Sequence, residues 1–175
     1  MKSLILICAL SASAVSHANE LGRRGEWGII NASDNSGDVI AITTGSNAGE
    51  MLGYRCTLRT SECVYVLVPG SKCDRGDSYP MLMNAKTGAS QVEGVCLNSN
   101  EKINDMVLKP YKSIENAIKN SSEMIGFAIP MASGAFKAVR FSTDGAFAAI
   151  QEAEKIANQR KKSRQNSEKA TTGFF

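Results

Sequence analysis

Short runs rich in apolar and β-branched residues, separated by turn-forming ones, repeat along this chain from Glu26 to Ser142. In the clearest of them Tyr54, Cys56 and Leu58 alternate with Arg55, Thr57 and Arg59, the period of a strand with one buried face. The same reading gives Glu26–Ala32, Val39–Gly45, Cys63–Val68, Tyr79–Ala85, Gln91–Leu97, Met124–Pro130 and Phe136–Ser142 as strands. The segments SDNSGD, GSNAGE, KTGAS and MASG between them have turn composition. Pro80 puts its strand at a sheet edge or marks its start, because proline donates no ladder hydrogen bond. About eight strands, most in hairpin succession, predict a mainly β fold: an antiparallel sandwich or barrel.

Two helical patterns interrupt the strands. Pro110 can open a helix in which Tyr111, Ile114 and Ile118 share a face, with Asn120-Ser121-Ser122 ending it. A second, C-terminal helix carries Ala146, Ala149, Ile150, Ala153, Ile156 and Ala157 as an apolar stripe, capped by Ser142, Thr143 or Asp144. From Gln159 to Phe175 the stripe is gone, and an unstructured tail is expected.

The first residues change the picture most. Lys2, the apolar run Leu4–Leu10 and the small-x-small tripeptide Ser16-His17-Ala18 match a secretory signal cut after Ala18, with Ala14 as a second possible site. It does not read as a lipoprotein signal, since Ile7 precedes Cys8. Residues 1–18 are therefore read as signal peptide, 19–158 as one β-rich domain and 159–175 as a basic tail. The cut removes Cys8 and His17, the only histidine. Serine-histidine and cysteine-histidine catalysis drop out, along with imidazole zinc sites. No later stretch approaches a spanning helix; the longest apolar run is Val64 to Val68.

Four cysteines remain in an exported chain, separated by 6, 9 and 22 residues. That spacing is unlike the two close Cys-x-x-Cys pairs of a thiolate zinc site, and it reads as two disulfides. Folding the chain about Arg59-Thr60 sets Cys56 opposite Cys63, within disulfide reach, which leaves Cys73 to pair with Cys96.

Charge adds a second candidate surface. From Glu154 onward there are six basic and two acidic residues, so the body is near neutral and the tail is basic. Arg160, Lys161, Lys162 and Arg164 could touch anionic lipid weakly. Within the body, Arg75-Gly76-Asp77 is the tripeptide that integrin-type receptors read on constrained loops, and Cys73 and Pro80 would restrain it. Asp74 and Asp77 could instead be a carboxylate pair of a hydrolase. Ser99-Asn100-Glu101-Lys102 matches a serine-lysine acyl-enzyme motif without its companions, and Asp34, Ser36 and Asp38 read as a turn before a calcium loop.

The order of parts resembles the invasion-associated locus B family of exported bacterial proteins. The likeness rests on Glu26-Trp27-Gly28, on the central cysteine strands, and on a closing strand, glycine turn and small-residue helix from Ile125 to Ile150. It departs at the insert Tyr111–Ser122 and in the basic tail. The resemblance implies a β-sandwich envelope protein acting in contact between bacterium and host, with no catalytic residues to carry over. Tyr54-Arg55-Cys56 is also similar to a strand of periplasmic lysozyme inhibitors. The sequence thus points to a periplasmic or secreted binding protein without catalysis or cofactor. Its expected partner is a protein or an envelope or host surface ligand; it is not expected to bind nucleic acid or span a membrane. A hydrolase inhibitor and a carboxylate-dependent hydrolase are the alternatives.

Overall fold

A computed structural model of the chain describes residues 20–32, 36–99, 104–121, 123–131 and 133–172. The expected signal peptide, Asp34 and Asn100 to Lys102 lie outside them. The elements are β1 (Glu20–Arg24), β2 (Trp27–Asn31), β3 (Val39–Thr44), β4 (Glu50–Cys56), β5 (Cys63–Pro69), β6 (Ser78–Ala85), β7 (Gly88–Ser99) and β8 (Asn104–Lys109). These are followed by α1 (Tyr111–Asn120), β9 (Met124–Pro130), β10 (Phe136–Ser142) and α2 (Ala146–Thr172). The strands form one ten-stranded antiparallel sheet in the order β1-β2-β3-β4-β5-β8-β7-β6-β9-β10. A bridge between Gly45 and Phe141 brings β10 back against the end of β3, so the sheet curls over its own core.

Strand content exceeds the sequence expectation by two. The polar β1 is held by pairing with β2, and β8 inserts between β5 and β7. Because of that insertion the β5 and β6 strands, consecutive in sequence, are not neighbours. Pro80 behaves as expected: β6 pairs β7 along its whole length but meets β9 only at Leu82–Asn84, so the proline sits where one side of the strand is unpaired.

The core fills the concave side. Trp27, Leu52, Tyr54, Tyr65 and Leu67 from one half meet Met83, Phe127, Val139 and Phe141 from the other. Burying each such large apolar side chain contributes about 1.5–3 kcal/mol. Helix α2 covers β1 to β4 through Ala146, Ala149, Ile150, Ala153 and Ala157. Its stripe is mostly alanine, which permits close approach but buries little area. Polar ties supply further attachment: Arg24 to Glu152 at 3.3 Å and Tyr54 to Glu154 at 2.6 Å. Where the helix begins, Trp27 Nε1 donates to Ser142 O at 2.8 Å and the Glu26 amide to Asp144 O at 3.1 Å.

Both disulfides join the expected partners. Cys56 and Cys63 are register partners with Cα atoms 4.1 Å apart, and Cys73–Cys96 spans 6.0 Å. One sequence reading is corrected. The segment expected to be unstructured from Gln159 continues α2 to Thr172. Loss of an apolar stripe does not end a helix by itself, and Gln159–Thr172 is rich in good helix formers and has no glycine or proline before Gly173.

Two carboxylates serve the fold. Asp38, 1% exposed, accepts from Arg55 Nε at 2.9 Å and Nη2 at 2.8 Å and from the Leu58 amide at 3.0 Å, which ties the start of β3 to the β4–β5 loop. Its amide donates to Ser36 Oγ, as in a turn. Glu50, also buried, accepts from Asn47 Nδ2 at 2.9 Å and pairs with Lys137 at 3.6 Å beside the closing bridge.

Candidate binding site

The segment between β5 and β6 must return past β8 to reach β7, and it does so through a stapled turn. Cys73 is buried and bonded to Cys96 of β7. The Asp77 amide donates to Asp74 O at 3.0 Å, closing a four-residue turn with Arg75 and Gly76 at its centre. Gly76 has φ +89°, the positive value that a type II turn needs at its third position and that glycine adopts without strain. The Gly76 amide donates to Cys96 O and the Cys96 amide to Asp77 O, both at 2.9 Å, so the turn is laced onto β7. The Asp74 amide donates to Tyr79 Oη at 2.9 Å, and the Tyr79 ring packs against Cys73, Cys96 and Met106.

This anchoring leaves the side chains outside. Asp74, Arg75, Gly76 and Asp77 are all exposed. The turn therefore offers one guanidinium and two carboxylates from a backbone with little freedom left to lose, which lowers the entropic cost of binding.

A cleft of about 530 Å³ starts at the next residue, lined by Ser78, Pro80, Gln91, Val92, Glu93, Lys109 and Pro110. Its origin lies in the strand order. Glu93↔Lys109 is the last pair of β7 with β8, because the chain leaves the sheet at Pro110 to enter α1. Beyond that point β7 has no strand neighbour on this side among the described residues, and the buried Val92 forms a floor between walls that mix Pro80 and Pro110 with polar side chains. The volume is that of a small-ligand or short-segment site, and acidic Glu93 opposite basic Lys109 suits a polar, dipolar ligand.

The structure thus brings Asp74, Arg75 and Asp77 together and adds Glu93 and Lys109, which the sequence did not single out. It sets the basic group apart on α2. The helical period turns Arg160 and Arg164 onto the side of Ala153 and Ala157, toward the body. Arg160 Nη1 donates to Gly37 O at 2.8 Å, and Lys161 borders a small depression beside the Cys56–Cys63 bridge. Arg160 is a docking residue of the helix, in place of the projecting charge expected.

A buried tyrosine group also escaped the sequence reading. The buried Tyr54 and Tyr65 and the half-buried Tyr111 at the start of α1 pack with tilted rings, their centroids 4.9 to 6.2 Å apart. The Cys56–Cys63 register would have revealed half of it, since it sets Tyr54 opposite Tyr65. Burial, then the bond to Glu154, pushes the Tyr54 phenol well above its usual range. Burial and the neighbouring Tyr111 do the same to Tyr65. Both stay neutral, as parts of the core.

Comparison with protein families, characterised proteins and solved structures finds no match to this chain. Among the described residues, no helix is long and apolar enough to cross a membrane.

Proposed function

We propose that this is an exported binding protein that holds a macromolecular ligand at the Asp74–Asp77 turn and the adjoining cleft, without catalysis. The observation that carries the reading is the combination of a backbone fixed by the Cys73–Cys96 staple with side chains left fully outside. Two disulfides fit a protein kept outside the reducing cytoplasm, and the sequence's leader-like start favours the periplasm or the exterior. The resemblance to the locus B family supplies the kind of ligand: a protein on an envelope or host surface. Asp74 and Asp77 share an exposed turn and neither lines the cleft, whereas a carboxylate acting as general acid needs a desolvated site. That weighs against a hydrolase.

Inhibition of a host hydrolase draws on the same turn, which has the form of a loop that enters an enzyme's cleft. It would not use Tyr54-Arg55-Cys56 as its contact, because Tyr54 is buried beneath α2. One experiment addresses both. Purified protein is assayed for attachment to host cells and for lysozyme inhibition, alongside Asp77→Glu and Arg75→Ala. The proposal expects one of these activities, reduced at least about tenfold by either variant, as for a central interface charge. Activity that is indifferent to both substitutions removes the turn from the function.

A further inference from the structure

Building on the proposal that the cleft is a binding site, we infer that it takes its ligand as an extended polypeptide segment, added as a strand to β7 in the lane that β8 leaves at Pro110.

The pairing fixes the backbone directions. Cys96 donates its amide to Asp77 O and accepts from the Gly76 amide, so both its backbone groups face the β6 side. Successive residues of a strand turn these groups to opposite sides, which gives Ser90, Val92 and Gly94 to β6 and Ala89, Gln91, Glu93 and Val95 to the other side. There Val95 meets Val107 and Glu93 meets Lys109. Ala89 and Gln91 meet no strand among the described residues, because the chain turns at Pro110 into α1, which packs on β8, β5 and α2. Their N–H and C=O groups, spaced for a strand, stand beside the cleft of about 530 Å³ that Gln91, Val92 and Glu93 help to line.

Composition sets this edge apart from the others. The two outermost strands carry charge, Arg23 and Arg24 on β1 and Lys137 and Arg140 on β10, which protects an edge against pairing. Gly88-Ala89-Ser90-Gln91-Val92 has neither charge nor proline. Such an edge accepts a strand about 4.8 Å away, held by main-chain hydrogen bonds, with side-chain pockets supplying specificity. A segment antiparallel to β7 continues the direction of β8. Its residues opposite Gln91 and Ala89 make the backbone bonds, and the residue between them turns inward on the side of Val92, which calls for an apolar side chain. A second copy fits less well, since its own free stretch lies in the same concavity and its outer edges are charged. A lipid offers no series of donors and acceptors at strand spacing.

The test pans a phage-displayed library of random dodecapeptides on the purified, disulfide-intact protein, with counter-selection on Gln91→Pro. The proline removes a lane-facing N–H but no bond to β6, and near-ultraviolet circular dichroism checks its fold. The expected yield is peptides with alternating apolar residues that bind Gln91→Pro at least about tenfold more weakly, as when a backbone bond is lost and its partner left unpaired. N-methylation of alternate amides of a selected peptide should abolish binding in one phase and spare it in the other, a readout that needs no variant. Hydrogen exchange at the Ala89 and Gln91 amides, fast in the free protein, should slow with peptide bound. Slow exchange in the dilute, peptide-free protein overturns the inference, since part of the chain then fills the lane. So does protection that rises with protein concentration alone, which marks a second copy. A library with no peptide that separates the two proteins, or peptides indifferent to the phase of N-methylation, also overturns it. Cell attachment or lysozyme inhibition lost in Arg75→Ala but intact in a folded Gln91→Pro leaves the turn as a site and removes the added strand; activity kept by both variants removes the binding site itself.

Discussion

Tyr54 Oη donates to Glu154 Oε1 at 2.6 Å and lies 3.0 Å from Tyr111 Oη. A phenol has one proton, so Tyr111 must be the donor in the second bond, and a single oxygen joins both helices to β4. Stability should therefore depend on alkaline pH. The folded-state pKa values of Tyr54 and Tyr65 lie above the unfolded value of about 10, so the unfolded chain releases its protons first. The stabilisation is whole below pH 10 and declines above it, by up to about 1.4 kcal/mol per pH unit for each phenol. Urea titrations from pH 8 to 11.5, followed by the fluorescence of Trp27, should show this decline, and Tyr54→Phe should halve its slope. An unaltered slope would mean that the phenol ionises freely in the folded protein.

Gly145 begins the approach to α2 with φ +75°, and a Cβ there would collide with the Arg24 carbonyl and the Gly25 amide. Gly134 has a similar φ, +81°, with open space around it. Alanine at Gly134 should cost only the conformational penalty, about 1 kcal/mol, whereas alanine at Gly145 adds a backbone clash and should cost about 3 kcal/mol. Denaturant midpoints separate the two. Equal losses would show that the β1–β2 turn gives way without resistance.

The staples should be unequal. Paired alanine substitution of Cys73 and Cys96, which opens a separation of 23 residues, should cost about 3.5 kcal/mol, against about 2.5 for Cys56 and Cys63 at a separation of 7. Loss of the longer loop also frees the Asp74–Asp77 turn, so ligand binding should weaken in that variant alone. If binding falls equally in both, the turn is not where the staple matters.

What the sequence reveals follows how local the cause is. The β9–β10 hairpin and the Cys56–Cys63 pairing are written in alternation a few residues long, and both appear at the expected positions. Strand β8 is not, because Asp105 interrupts its apolar pattern and its existence depends on β5 and β7, distant in sequence. The cleft is invisible for the same reason: Glu93 and Lys109 meet only through that insertion. The Arg75-Gly76-Asp77 turn could be named from its residues, but its lacing to Cys96 could not. The unbroken Val64–Val68 run shows that β5 is apolar on both faces, and only the register shows that Arg55 stands between Ile40 and Val64.

The basic end of α2 gives the last prediction, and here the structure separates two roles that composition merges. Arg160 spends its charge on Gly37 O, a part-buried bond from a cationic donor worth about 1.5–3 kcal/mol at most. Truncation after Asn158 should therefore lower the melting temperature by a few degrees, Arg160→Ala should reproduce the loss, and truncation after Arg164 should not. Arg164 shares the inward side with Arg160, so anionic-lipid contact must rest on Lys161 and Lys162, at about 1 kcal/mol each near a charged membrane. Two such charges can hold the protein only loosely, so cosedimentation with anionic vesicles should appear at low salt and fade as the Debye length shrinks toward about 8 Å. Replacing Lys161 and Lys162 with alanine should abolish it while leaving the melting temperature in place. Vesicle binding that survives both that replacement and high salt would have to come from apolar contact and not from the basic end of α2.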